Sequence, residues 1–97
     1  MIPVYICDDE LSVRDKLEHI VSEQIMILDN DMGPVRAVDD PEVLLRQQRE
    51  DSVPAVYFLD IDFPGRISGL ELAQKLRQYD PRGFIVFITA HGDLAFE

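Results

Sequence analysis

Short apolar runs alternate along the chain with segments whose apolar residues recur every three or four positions. The runs are rich in Val, Ile, Phe and Tyr, and polar or turn residues flank them, which is typical of buried strands. The last two runs are almost continuously apolar, as expected for strands that are covered on both faces of a sheet. The pattern predicts strands at residues 4–7, 35–38, 55–59 and 84–88.

The intervening segments predict helices. Residues 11–28 carry one apolar stripe at helical spacing. A second helix is expected to begin at Pro41, because proline is favoured at the first helical position and two aspartates stand before it as caps. Ser68 and Glu71 have capping-box spacing at the start of a third helix. A fourth helix is expected to begin near Asp93.

The order of these elements is strand, helix, strand, helix, strand, helix, strand. Such alternation predicts an α/β fold, in which a parallel sheet carries helices on both faces. The sequence has no internal repeat, low-complexity tract or linker, so residues 1–97 are expected to form one domain.

Charge narrows the set of partners. Nineteen acidic and nine basic residues give a formal net charge of −10. This charge repels nucleic acid phosphates and favours a small cation or a partner with a basic face. No apolar run approaches the ~20 residues of a membrane helix. The single cysteine, Cys7, excludes an internal disulfide and is expected in the core, which fits a cytoplasmic protein.

Acidic side chains follow two of the predicted strands. Asp8 and Asp9 come after the first strand, Asp60 ends the third with Asp62 two positions later, and Thr89 ends the fourth. Open α/β sheets bind ligands at the carboxyl ends of their strands, where these residues would meet. Two like charges about 4 Å apart repel by roughly 4 kcal/mol at an effective dielectric of 20. A divalent cation would remove that cost, and carboxylates are the ligands it prefers.

Magnesium suits such a site, because it needs few protein ligands and leaves coordination positions that phosphoryl oxygens can fill. A carboxylate beside the metal can act as a nucleophile toward phosphorus. Asp60 is the best candidate, since it ends the central, most apolar strand. The Thr89 hydroxyl could donate a hydrogen bond to an oxygen of the transferring group.

These segments resemble the receiver domains of bacterial response regulators. The resemblance covers the whole chain and implies a flavodoxin-like fold with strand order 2-1-3-4-5. It implies phosphorylation of the domain by a sensor histidine kinase. The segments are Cys7-Asp8-Asp9, Phe58-Leu59-Asp60-Ile61-Asp62, Ser68-Gly69-Leu70-Glu71-Leu72 and Phe87-Ile88-Thr89-Ala90.

The resemblance also implies roles for individual residues. Asp60 would be the phospho-acceptor, and Thr89 would be the switch hydroxyl. Magnesium would be held by Asp8, Asp9, Asp60 and the backbone carbonyl of Asp62. Such a domain is not an enzyme in the usual sense, since it at most phosphorylates and dephosphorylates itself.

Finer features resemble the quorum-sensing regulators of the accessory-gene and competence type, which carry a LytTR-type DNA-binding domain. These features are the Phe-Leu-Asp-Ile segment at 58–61, the wide spacing from Asp60 to Gly69 and the Thr-Ala-His segment at 89–91. This resemblance implies control of transcription, with DNA bound only by an output domain that this segment lacks.

The chain departs from the family at its end. Receivers have a fifth strand, which carries a lysine that pairs with the phosphorylated aspartate, and a fifth helix. Neither is expected here, and Lys16 and Lys75 lie in helical stripes and do not replace that lysine. The fourth strand is therefore expected to be an exposed sheet edge, through which receivers could associate or exchange strands.

Two other functions fit parts of the sequence. The first is an acidic docking or dimerisation module that keeps the fold and never carries phosphate. The second is a phosphatase of the haloacid dehalogenase type, because Asp60 and Asp62 match its Asp-x-Asp motif. Pro64 stands where that motif has Thr or Val, and no downstream motifs follow.

Overall fold

A computed structural model describes residues 2–28, 31–61, 67–88 and 94–96, with the backbone alone for Leu28 and for residues 94–96. Parallel strands and helices alternate along the described chain, as the hydrophobic pattern predicts. The elements are β1 (Ile2–Cys7), α1 (Leu11–Leu28), β2 (Met32–Val38), α2 (Pro41–Glu50), β3 (Val56–Asp60), α3 (Gly69–Tyr79), β4 (Phe84–Ile88) and β5 (Leu94–Phe96).

The strands form one sheet in the order β2-β1-β3-β4-β5. β1 pairs in parallel with β2 and with β3, and β3 pairs in parallel with β4. Cys7 lies opposite both Val38 and Leu59, and Asp60 lies opposite Ile88, so the four carboxyl ends share one edge of the sheet. The predicted flavodoxin-like α/β fold is confirmed.

The prediction of a helix that begins near Asp93 is wrong for the described residues 94–96. Leu94–Phe96 forms β5, which runs antiparallel to β4, with Val86 opposite Phe96 and Ile88 opposite Leu94. Three residues gain little as a helical turn, because the first turn is costly to nucleate, whereas a strand satisfies the open hydrogen-bonding groups of β4 at once. The prediction that the edge of β4 is fully exposed is therefore also wrong, because β5 covers residues 86–88 of that edge.

One face of the sheet forms the main core with α2 and α3. Strand side chains alternate between the two faces, so every second residue points toward these helices. Cys7 is fully buried, as predicted. The buried side chains of this core come from the sheet (Tyr5, Cys7, Tyr57, Leu59, Ile85, Phe87) and from the helices (Leu44, Leu72, Ala73, Leu76).

The opposite face is covered by α1, which packs on β1 and β2. Val4 and Ile6 are buried there, whereas Phe58 on β3 is only half-buried. The apolar stripe of α1 is half-buried at Val13 and Leu17. Among the described helices, α1 is the one on this face, which explains why its coverage is incomplete.

A buried hydrogen-bond network fixes the amino end of the sheet. Tyr57 Oη donates to Asp80 Oδ2 at 2.7 Å, and the backbone N–H of Ala55 donates to the same oxygen at 3.0 Å. Gln48 Nε2 donates to Tyr57 Oη and, at 3.1 Å, to the carbonyl of Val53. The network joins α2, β3 and the end of α3. None of its residues lies at the carboxyl end of the sheet.

Candidate functional site

Three carboxylates meet at the carboxyl end of the sheet. Asp8, Asp9 and Asp60 each have a carboxylate oxygen within 4.8 Å of the others. Asp8 and Asp9 directly follow β1, and Asp60 is the last residue of the adjacent parallel strand β3. The structure therefore brings together the three acidic side chains that the sequence places at these two strand ends.

The three side chains differ in exposure. Asp8 is only 4% exposed, Asp60 is half-buried and Asp9 is exposed. The cluster thus has a buried base and an open side. A small ion could contact all three carboxylates and still face solvent or a second ligand.

The backbone around Asp8 is held at three points. Its N–H donates to the carbonyl of Val38 at 3.2 Å, which extends the pairing of β1 with β2 by one residue. Its Oδ1 accepts from the N–H of Glu10 at 2.8 Å. Its carbonyl accepts from Arg14 Nη1 at 2.9 Å. The sequence reasoning missed Arg14, because this contact becomes visible only when α1 is placed beside the loop.

Burial raises the pKa of Asp8, and the nearby charges of Asp9 and Glu10 raise it further. The N–H of Glu10 and the charge of Arg14 lower the pKa, but the net direction is upward. The ionised form of Asp8 is therefore disfavoured in the folded protein. A cation at the cluster would reverse this preference.

Cys7 lies next to the cluster but is chemically quiet. Burial raises the pKa of its thiol to about 12, and the charges of Asp8, Asp40 and Asp60 raise it further. The side chain is fully buried on the opposite face of the strand from its neighbour Asp8. The thiol is therefore neutral at physiological pH, which makes it a weak nucleophile.

α3 begins against the backbone of Asp60. The N–H of Gly69 donates to the carbonyl of Ile61 at 2.9 Å, and the N–H of Ile61 donates to the carbonyl of Ile88 at 3.2 Å. A Cβ atom at Gly69 would lie 2.1 Å from the carbonyl oxygen of Asp60. Gly69 therefore allows the helix to approach the site, a steric role that its place in the Ser68–Leu72 motif did not reveal.

The predicted helix caps are present, whereas two predicted site residues lie outside the described part of the chain. Asp40 caps α2, since its Oδ1 accepts from the N–H of Glu42 at 2.9 Å. Ser68 Oγ accepts from the N–H of Glu71 at 3.1 Å, as the capping-box spacing predicts. Asp62 and Thr89 lie outside the described residues, so their roles remain predictions.

The donor set fits a hard divalent cation. Such ions prefer oxygen ligands, and magnesium needs only one or two direct carboxylates. Three acidic groups within 4.8 Å of one another, one of them with a raised pKa, form a site that a cation would stabilise.

No helix in the described part of the chain has the length and apolar character needed to cross a membrane.

The chain matches the response regulator receiver domain family over residues 4–96. It is similar to accessory gene regulator protein A of Staphylococcus epidermidis and of Staphylococcus aureus, with 33% identity over 93 residues in each comparison. The matched region covers 96% of this chain and 39% of each regulator. The chain thus spans about two fifths of the length of these curated relatives.

Solved structures support the same fold. A response regulator receiver protein from Sinorhizobium medicae superposes with a TM-score of 0.74 at 20% identity, over 91% of this chain and 65% of that one. A chain from the crystal structure of the histidine kinase ThkA in complex with the response regulator TrrA gives a TM-score of 0.70 at 26% identity. The second match covers 96% of this chain and 72% of the other.

Proposed function

The chain belongs to the response regulator receiver domain family, and we propose that it accepts a phosphoryl group on Asp60 in two-component signalling. The convergence of Asp8, Asp9 and Asp60 within 4.8 Å carries this proposal. Asp60 is half-buried at the end of β3, and the N-terminus of α3 fixes its backbone position. One of its oxygens can therefore face the open side of the cluster.

The proposed ligands of a magnesium ion are Asp8, Asp9 and Asp60, and the backbone carbonyl of Asp62 would complete the protein's share. When bound, the ion supplies positive charge that offsets the negative oxygens of the transferring group. The hydrogen bonds from Glu10 and Arg14 hold Asp8 in place before any ligand arrives. Such preorganisation lowers the cost of assembling the site.

The proposed phosphodonor is a phosphohistidine of a sensor kinase. An oxygen of Asp60 would attack phosphorus, so that the new O–P bond forms while the P–N bond breaks and the histidine leaves. Thr89 would donate its hydroxyl to a phosphoryl oxygen and act as the switch residue. The complex of a related regulator with a histidine kinase supports this choice of partner.

The proposal extends to a longer regulator that resembles the accessory gene regulators. Residues 1–97 would form its receiver domain in the cytoplasm, and a separate output domain would bind DNA and control quorum-sensing genes. The 33% identity to those regulators supports this extension. The net charge of −10 supports leaving DNA contact to another domain.

Phosphorylation can be tested with the 97-residue chain itself. We expect that Mg²⁺ with acetyl phosphate or phosphoramidate adds the mass of one phosphoryl group, read by intact-protein mass spectrometry. Asp60→Ala removes the nucleophile and should abolish the adduct. Asp15→Ala is the matched control, because Asp15 is an exposed aspartate on α1, outside the cluster.

An adduct that persists in Asp60→Ala would overturn the assignment of the acceptor. No adduct in the wild-type chain, despite binding of Mg²⁺, would favour the phosphorylation-independent docking module. The family match favours the receiver over an Asp-x-Asp phosphatase.

A further inference from the structure

A second polar site lies between α2 and α3, away from the carboxylate cluster. The two helices enclose a groove of about 320 Å³, and the side chains that line it come from both. The groove contains none of the three carboxylates of the phosphorylation site. We call it the α2–α3 groove, and its lining residues are Glu42, Leu45, Arg46, Arg49, Lys75, Gln78 and Tyr79.

The groove is basic on a strongly acidic protein. Three of the nine basic residues of the chain, Arg46, Arg49 and Lys75, line it together with one acidic residue, Glu42. In the described chain, no carboxylate forms an ion pair with any of these three basic side chains. Their charge is therefore available to a ligand.

Compensation of the helix dipoles explains only part of this charge. Basic side chains near a helix C-terminus interact favourably with the terminal carbonyl groups. Arg49 lies in the last turn of α2, but Arg46 and Lys75 lie outside the last turns of their helices. Compensation of the helix dipoles therefore does not account for the positive charge of those two residues.

We propose that the α2–α3 groove binds an acidic segment of a partner protein. The carboxylates of the segment would meet Arg46, Arg49 and Lys75, and an apolar side chain would contact the half-buried Leu45 and Tyr79. The face from residue 42 to residue 49 extends about 10 Å along the helix, which matches about three residues of extended peptide.

The surrounding charge makes the groove selective. The net charge of −10 repels acidic partners from most of the surface, so such a segment is attracted mainly at the groove. A second copy of the chain is a poorer occupant, because each copy carries the same net charge of −10. The proposal does not depend on phosphorylation of Asp60.

The test measures the fluorescence anisotropy of a short labelled peptide that contains several Glu and one Phe. A peptide with Gln at every Glu position is the matched ligand control. We expect the Glu peptide to bind the chain in a salt-sensitive manner and the Gln peptide to bind at least about tenfold more weakly.

The decisive variant combines Arg46→Glu with Lys75→Glu, and its matched control combines Lys16→Glu with Arg82→Glu. Both pairs change the net charge equally, but Lys16 and Arg82 are exposed outside the groove. We expect about a tenfold loss of binding in the groove variant and less than about a twofold loss in the control. The pair Arg46→Gln with Lys75→Gln repeats the test if the charge reversals disturb folding, which circular dichroism reports.

Equal losses in both charge-reversal pairs would overturn the groove, because only net charge would matter. Displacement of the peptide by pyrophosphate at equal concentration would show a general anion site instead of a peptide site. Groove-dependent dimers in sedimentation velocity would identify a second copy as the occupant. Asp60→Ala should bind the peptide as the wild-type chain does, so failure of the phosphorylation proposal would be seen separately.

Discussion

Asp8 is buried between other acidic groups, and its position links the stability of the fold to the chemistry of the site. Its carboxylate is almost inaccessible to solvent, and the charges of Asp9 and Glu10 lie nearby. The N–H of Glu10 and the guanidinium of Arg14 hold the residue without removing the cost of its ionisation. Binding of a cation at this residue would therefore be coupled to folding.

Asp8→Asn is expected to stabilise the metal-free protein at neutral pH. Because the folded pKa of Asp8 is raised, its contribution to stability is present below the unfolded pKa and is lost as the pH rises through the folded value. The asparagine keeps an oxygen for the N–H of Glu10 and carries no charge. Urea unfolding without Mg²⁺ should show an advantage of the variant that grows from acidic to neutral pH.

A constant difference between Asp8→Asn and wild type across that pH range would contradict the electrostatic account. Asp15→Asn is the control, because it removes the same charge from an exposed position on α1.

The junction of β3 and α3 fixes Asp60 through a close backbone approach. Gly69 lies so near Asp60 that a Cβ atom would be 2.1 Å from its carbonyl oxygen. The N–H of Gly69 also donates to the carbonyl of Ile61. The first turn of α3 is therefore held directly against the last residue of β3.

Gly69→Ala should destabilise the fold and slow phosphorylation. Relief of the clash requires a shift of α3 or of the Asp60 backbone, and overpacking of this kind costs about 1–3 kcal/mol. Urea unfolding and the rate of adduct formation with acetyl phosphate measure the two effects. Ser22→Ala, at an exposed position of α1, should change neither. Wild-type stability in Gly69→Ala would contradict the close approach.

The short strand β5 covers part of the β4 edge. Ala95 lies in its centre, opposite Phe87. Ala95→Pro should disrupt β5, because proline fixes φ and removes the N–H of the central residue in a strand of only three residues. The uncovered edge should then promote self-association, seen as faster and concentration-dependent sedimentation. Ala95→Val should sediment as wild type, and monomeric behaviour of Ala95→Pro would contradict the protective role of β5.

The four parallel strands were predictable from their apolar runs, most clearly β1 and β4, whose last four residues are all buried. Asp8, Asp9 and Asp60 were predictable as a cluster, because parallel neighbouring strands bring their carboxyl ends to one edge. β5 was not predictable, because its partner is the β4 edge and its own three residues carry no periodicity. Arg14 and Gly69 act through contacts between elements, which a linear pattern does not contain.

The buried hydrogen-bond network and the acidic cluster lie at opposite ends of the sheet. Its radius of gyration of 12.4 Å is close to the value of about 12.5 Å expected for a compact domain of this length. The network of Gln48, Tyr57 and Asp80 stabilises one end of the sheet. The acidic cluster lies at the other end.

Stabilisation by Mg²⁺ tests the central claim most directly. The claim is that Asp8, Asp9 and Asp60 form a divalent-cation site at the end of the sheet. At about 100 times its Kd, Mg²⁺ should increase the free energy of unfolding by roughly 2.7 kcal/mol, measured by urea denaturation. Asp9→Ala should abolish most of this increase, and Asp15→Ala should retain it. No increase in the wild-type chain, or an equal increase in Asp9→Ala, would contradict the account.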